Sequence, residues 1–479
     1  MRSHLVIIAL FFPIVVALSQ TSSTRLSGMG NISIAVIDTE SEAFSNPAKA
    51  MWVGTGFFRL NPYYFGTSND FSENSNSTLP SYSPYNTSTS TSNAQYGMPV
   101  GIIIPVSNLR LGAVASADGA TLHEEDKNFN GGGYPSSSNS TYDIKSPSTS
   151  LTLLAAVDVG WGSLGAIGSW NGNTTKTESS YNYPLETPAT SSDSKYETVE
   201  SNHAYGLGVS FGSIETAQVS LAIDIEGYHD ESKATSSIYN GIPQDLSQPD
   251  VTIASSSGPH LIGELRKLYD GGIVAGIRMS YRGQSIDQSE KYNWYDATAM
   301  FPLYGERTTG HFDQNQYSVG FGISKMIESA GIISFEYVYS PTDTHSEYFE
   351  PTSGTYPDGR VYYSGDRSST SDEKANQQEV RIGAELHITS ELVARGGLEV
   401  MWSSYRSDSQ SSYSAGTNSV SGETSAHYYG AGGFSYTLGS VRIDYSFGMT
   451  PTYQYYSGSS GVSMNDVILQ HSATVSFQF

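Results

Sequence analysis

The sequence predicts an all-β fold, a transmembrane antiparallel β-barrel of 14–16 strands, and three observations carry that prediction. Alternating apolar and polar residues recur along the chain in segments of roughly ten to fifteen residues. An apolar leader opens the chain. The chain closes on a strand whose aromatic alternation runs to its last residue, Phe479.

Composition agrees. The 479 residues are 37% hydrophobic and 15% charged, against about 45–50% and about 25% in soluble domains. Thirty-four tyrosines suit both strands and membrane–water interfaces. A net charge of −23 argues against nucleic acid as a partner, because duplex binding needs a basic face. Without cysteine there is no disulfide, thiolate metal site, cysteine nucleophile or lipid anchor on a cysteine.

Residues 1–19 read as a signal peptide. Arg2 and His4 form the polar start, Leu5 to Leu18 the apolar run, and Ala17-Leu18-Ser19 the small-x-small site, with cleavage before Gln20. The run is short for a membrane helix of about 20 residues. No later segment approaches one, so an integral membrane protein of this sequence must be a barrel.

Residues 20–49 do not alternate. Within RLSGMGNISIAVIDTESEAFSNPAKAMWV (residues 25–53), Gly28 and Gly30 permit tight turns, Asp38 to Glu42 is an acidic cluster, and Asn46-Pro47-Ala48 reads as a turn or helix start. The segment is expected to be a plug in the barrel mouth, with residues 50–479 forming the barrel and its long extracellular loops.

Sixteen segments alternate, near residues 50–65, 93–105, 108–118, 149–160, 163–173, 200–213, 216–230, 257–268, 271–283, 313–326, 330–341, 374–388, 391–406, 423–438, 440–454 and 465–479. In 203–212, Tyr205, Leu207, Val209 and Phe211 share one face; after a turn, Val219, Leu221, Ile223 and Ile225 do the same. Short links at Pro105–Asn108, Gly160–Ser163, Asp270–Gly271, Ser329–Ala330 and Leu438–Ser440 read as periplasmic turns. Polar stretches at 66–92, 119–148, 174–199, 231–256, 284–312, 342–373 and 407–422 read as external loops. An even strand count leaves both termini on the periplasmic side.

In the last segment, Val475, Phe477 and Phe479 alternate to the terminus. This resembles the signal by which bacterial barrels are handed to their assembly machinery, an expected partner alongside outer-membrane lipid.

Gly28-Met29-Gly30, Ala35-Val36-Ile37-Asp38 and Asn46-Pro47-Ala48 together resemble the opening of FadL-type outer-membrane transporters for long-chain fatty acids and aromatic hydrocarbons. The likeness covers about 30 residues, and Lys49-Ala50 stand where the family usually has Gly-Leu. It implies an N-terminal hatch, a barrel of 14 strands rather than sixteen, and a ligand that leaves sideways beside a kinked strand. PorV-like barrels, which serve protein secretion and surface attachment, share the same opening.

Met98-Pro99-Val100-Gly101 is the candidate kink, with Pro99 and Gly101 as the residues that make one; Pro99 also fits the start of a strand. Lumen-facing charges, among them Asp224, Glu226, Arg278, Arg282, Glu336, Arg381, Glu385, Arg395, Glu399, Arg442 and Asp444, read as pairs across neighbouring strands or as a polar filter. Asp126 to Gly131 matches the opening of a calcium loop, but Ser137 stands where the closing acid belongs. The five tryptophans fit interfacial belts, and Trp294 falls in a loop. The ten histidines show no metal-ligand spacing, so neither a metal nor another cofactor is expected, and no arrangement points to an enzyme. The expected function is passive uptake of hydrophobic small molecules across a bacterial outer membrane. The alternative is a non-transporting barrel that binds protein partners.

Overall fold

The computed structural model describes residues 24–29, 31–36, 38–75, 85–130, 136–183, 190–236, 238–239, 242–243, 250–291, 293–296, 301–305, 308–355, 361–411, 414–455 and 463–479. The signal-peptide assignment and Gly30 lie outside them.

Sixteen strands close into one antiparallel barrel. β1 is Phe57–Leu60, resuming as Tyr63–Ser75; β2 is Tyr85–Gly97, resuming as Val100–Val106. Then follow β3 (Leu109–Asn130), β4 (Ser136–Asp158), β5 (Ser163–Tyr183), β6 (Thr190–Phe211), β7 (Gln218–Ser236) and β8 (Asp250–Tyr269). The second half comprises β9 (Ile273–Lys291), β10 (Thr308–Ile327), β11 (Gly331–Thr355), β12 (Val361–His387), β13 (Leu392–Ser411), β14 (Ser414–Leu438), β15 (Val441–Tyr455) and β16 (Ser463–Gln478). Closure comes from β1 on β16, with Phe57 opposite Gln478 and Tyr63 opposite Ser472. The count matches the alternating segments and not the fourteen that the family resemblance implies.

Period-2 patterning sets the faces as expected. Leu207, Ile223, Phe321 and Ile382 are exposed on the outside, while Ser210, Ser220, Ser324 and Glu385, each three residues away on the same strand, are buried within. Among the described residues no helix is long and apolar enough to cross a membrane; an outward apolar band on a closed barrel is the other way to cross one. Aromatic pairs edge this band. Trp161 stacks on Phe211 at 5.4 Å near the short turns, and Trp170 meets Tyr205 edge-on at 5.8 Å toward the opposite end. The short turns fall where the sequence puts them; Gly160 (φ 86) and Gly271 (φ 78) take left-handed backbone there.

The long links are corrected. Most of their length is strand. β3 and β4 stay paired from Leu109–Val157 to Asn130–Ser136, and β11 and β12 from Gly331–Leu386 to Thr355–Val361. Where both faces meet water, Ser, Thr, Tyr and Asn still fit a pleated strand, so pairing persists after hydrophobic alternation ends. The calcium-loop reading falls for the same reason. Asp126 lies mid-strand in β3, opposite Thr89 and Ser140, where a calcium loop needs a tight coil. Trp294 lies in a short strand, Asn293–Asp296, paired with Phe301–Gly305.

Ahead of β1 lie α1 (Thr24–Gly28), α2 (Thr39–Ser45) and a 3₁₀ turn, Pro47–Trp52. This segment follows the inner wall. Met29 sits against Gly383 of β12, Ile34 and Ala35 against Gly320 and Gly322 of β10, and Ile34 also against Gly276 of β9. Asn46 meets Gly208 of β6, and Pro47 and Ala48 meet Gly165 of β5. At Gly383, Gly320, Gly276, Gly208 and Gly165 a Cβ would collide with the segment, and at Gly322 it would press on Ala35 at 3.1 Å, so their smallness is what admits it.

Candidate functional site

The inner segment is seated by apolar packing at both ends and by charge between. Leu26, Met29, Ile32 and Val36 form one buried cluster. Ala43, Phe44, Ala50 and Val53 form another with Phe57, Ile103, Leu154 and Ala156 of the wall.

Glu336 of β11 holds the middle. It is 0% exposed, and its carboxylate accepts the backbone N–H groups of Ser33 (2.9 Å), Ala35 (3.0 Å) and Ile34. Successive N–H groups converging on one anion form a nest, satisfied here by a wall residue. Arg266 of β8 donates to both Glu42 oxygens (2.7 and 2.8 Å) and to the Ser33 carbonyl (2.8 Å). Lys49 donates to Glu42 at 3.1 Å and to Glu264, which also accepts from Arg278 Nε at 2.6 Å. At the other end Arg25 and Arg395 share Glu385 (2.9 and 2.8 Å), Arg395 reaches Asp444 at 3.0 Å, and Asn31 donates to Glu399 at 3.0 Å.

The wall charges singled out by sequence therefore do pair, but their partners include the inner segment as well as neighbouring strands. Arg25, Glu264, Arg266 and Glu379 belong to the same network and were not singled out, while Glu42 and Lys49 were noted only for the acidic cluster and the family motif. Glu264 and Arg266 carry the same signal as the rest, since they sit two apart on the inward face of β8, on either side of the outward Leu265.

The predicted motif residues have distinct places. Gly28 ends α1 rather than making a turn; the left-handed residue there is Asn31 (φ 60). Asp38 precedes α2, and its N–H donates to Glu42 at 3.1 Å. The Asn46 side chain accepts the Ala48 N–H at 3.1 Å and donates to the Leu221 carbonyl at 3.2 Å, which ties the 3₁₀ turn to β7. Pro47 opens that turn, where a missing N–H costs nothing.

Pro99 interrupts β2, which continues on both sides of it. β1 is interrupted at the same level by Asn61-Pro62, and the two breaks touch through the Asn61 N–H and Pro99 carbonyl (2.9 Å). Neither proline donates to the ladder. Gly101 faces Arg59, whose guanidinium lies over the rings of Phe44 (5.6 Å) and Phe57 (6.0 Å). Val475 and Phe477 lie on β16 opposite Leu60 and Phe58. The Phe479 N–H donates to the Gly56 carbonyl at 2.9 Å, leaving its ring 63% exposed.

Farther along the bore the inward positions are polar. Glu200 of β6 faces Asp230 of β7 directly, and both are buried. On these rungs the outward side chains include Ser201, His229 and Glu231, so the pair lies beyond the lipid-facing band. Burial pushes the Glu200 carboxyl up to about 7, with Asp230 adding to the rise against the Asn173 hydrogen bond. Burial likewise pushes Asp230 up to about 6.

No family model and no curated protein matches the chain. Among solved structures it is similar to the CymD monoaromatic hydrocarbon channel (14% identity, 95% of this chain and 96% of that one, TM-score 0.41). It is also similar to a Pseudomonas aeruginosa FadL homologue (10%, 96% and 98%, 0.42) and to the P. putida toluene transporter TodX (9%, 95% and 97%, 0.40). These neighbours are FadL-family channels. All three scores lie below 0.5. A ferric preacinetobactin receptor from Acinetobacter baumannii matches as well, at 0.32, so the likeness is one of architecture.

Proposed function

We propose that this chain is a bacterial outer-membrane channel for passive uptake of hydrophobic small molecules of the long-chain fatty acid or aromatic hydrocarbon class. Residues 1–19 direct export, and residues 20–49 act as the hatch. Val475, Phe477 and Phe479 present the barrel to the assembly machinery. The observation that carries the reading is a segment seated on the inner wall beside a wall that is itself broken at Pro62 and Pro99. A hydrophobic solute needs no acid–base chemistry; it needs a way from the bore into lipid, and the break supplies a stretch of ladder short of two N–H donors, held across by the Asn61 N–H to Pro99 carbonyl bond. The Asn-Pro-Ala opening agrees, because Asn46 and Pro47 sit where they fix the segment to β6 and β7.

The polar inward positions around Glu200 and Asp230 favour a second reading, a channel for small polar solutes along the whole bore. Uptake of labelled oleate and toluene by cells with and without the gene tests the first reading. A several-fold difference is expected. No difference for either, with increased entry of a polar tracer, replaces it with the second. No difference for any solute, with a protein retained in pull-downs, replaces it with a protein-binding accessory role.

A further inference from the structure

Three metal-ligating side chains converge on the bore wall: Asp224 and Glu226 on β7 and His260 on β8. Their ligand atoms all lie within 4.8 Å of one another. Asp224 and His260 are direct cross-strand partners, with His260 Nδ1 3.2 Å from Asp224 Oδ2. Glu226 is the next inward residue on β7, opposite Gly258.

Three further features distinguish this grouping from a row of paired charges. Asp224 Oδ1 is buried and has no hydrogen-bond partner. Gly206 stands opposite Asp224, and a Cβ there would lie 2.9 Å from the Asp224 Cβ, so a glycine makes the room. β8 also lacks pairing to β9 at Gly258 and Pro259, immediately before His260, with the register unchanged on either side. Arg282 donates to Glu226, which orients that carboxylate from behind.

We propose that Asp224, Glu226 and His260 form a binding site for a divalent transition-metal ion, of the Zn²⁺ or Mn²⁺ class, on the bore wall. One imidazole with two carboxylates is a borderline-to-hard donor set suited to these ions. Tetrahedral metal–ligand bonds of about 2.0–2.2 Å place adjacent ligand atoms about 3.3–3.6 Å apart, close to the 3.2 Å between His260 Nδ1 and Asp224 Oδ2. The three side chains keep 17% (His260), 20% (Asp224) and 27% (Glu226) exposure, enough to take an ion from the bore without unfolding. The fixed positive charge of Arg282 keeps the affinity modest and rules against monovalent cations, whose weaker attraction does not overcome it.

The test is metal binding by the purified, detergent-solubilised full chain, titrated calorimetrically with Zn²⁺, with Mn²⁺ and, for comparison, with Mg²⁺. One equivalent of Zn²⁺ or Mn²⁺ is expected. His260→Gln and Asp224→Asn should each weaken it by about tenfold or more. A His123→Gln, His311→Gln, His345→Gln triple variant, which strips exposed imidazoles from the outer face, should bind as before. Crystals soaked in Zn²⁺ should show an anomalous peak between Asp224 and His260. Heat-shifted gel mobility verifies that each variant is a folded barrel. Binding that survives His260→Gln, binding lost in the triple variant, or no saturable binding overturns the proposal.

Discussion

Glu336→Gln tests the seating of the inner segment most directly. The wild-type carboxylate accepts three backbone N–H groups at a fully buried point. A glutamine keeps one acceptor oxygen and turns an amide, itself a donor, toward the same N–H groups. Hydrogen bonds to a charged acceptor are each worth about 1.5–3 kcal/mol, and removing one partner of a buried charged set typically costs about 3–5 kcal/mol. Seating then weakens by roughly a hundred- to a few-thousand-fold, taking about 1.4 kcal/mol per decade. The barrel ladder itself is untouched, because the Glu336 backbone still pairs with Gly322 and Arg381. In planar bilayers the variant should spend a far larger fraction of time conducting, and cells carrying it should admit large antibiotics that wild type excludes. The variant protein must still show heat-shifted gel mobility. A folded Glu336→Gln barrel with wild-type conductance would refute the reasoning, since the carboxylate would then hold nothing that blocks the bore.

Other expectations follow from the same geometry. Replacing both prolines (Pro62→Ala, Pro99→Ala) restores two ladder donors, and it should lower oleate or toluene entry several-fold while leaving polar-tracer flux unchanged; equal effects on both would remove the lateral route. Glu200 holds its proton more tightly in the folded barrel, at about 7 against 4.5. Below pH 4.5 both states are protonated and no cost arises; as pH rises from 4.5 toward 7 the unfolded chain gives up this proton while the folded barrel keeps it, so stability falls by up to about 3 kcal/mol, at about 1.4 kcal/mol per pH unit. Heat midpoints in detergent should therefore fall between pH 5 and 8 in wild type and less so in Glu200→Gln, and parallel curves would contradict this. Phe479→Ala removes a ring that is mostly exposed, so it should reduce the amount of barrel reaching the membrane several-fold without changing the heat midpoint of what arrives.

What was legible in the sequence followed from contrast between two solvents. Where lipid faces one side of a strand and the bore the other, as at Leu207 and Ile223, alternation gave the strand and its faces. Where water bathes both sides, as along Thr174 to Thr177 in β5, there is no contrast to read, although the ladder continues. The site was less legible because it is assembled across strands. Glu336 meets Ser33 about three hundred residues away, and His260 meets Asp224 across two strands joined by a long link. No local spacing records either contact, and neither an HxH nor an HExxH pattern marks the proposed metal site. The Asn46-Pro47-Ala48 motif was legible because its work is local, an N-cap on a short turn.

The inner segment and the wall break are joined by very little chain. The segment ends at Val53, whose carbonyl accepts from Arg110 of β3 at 3.1 Å, and β1 begins at Phe57. Phe44 of α2 lies under Arg59, two residues from the break at Asn61-Pro62. On the proposed reading, a segment that leaves its seat at Glu336 pulls on the strand bordering the break, and the break widens where two prolines leave the ladder two donors short. If seat and gap are one device, the effects of Glu336→Gln and of the double proline replacement on hydrophobic uptake are coupled. The seat variant should raise uptake in the wild-type wall and do much less in the repaired wall, a departure from additivity of about 1 kcal/mol or more in a double-mutant cycle. Strict additivity of the two effects would separate them, leaving a gate in the bore and an independent flaw in the wall.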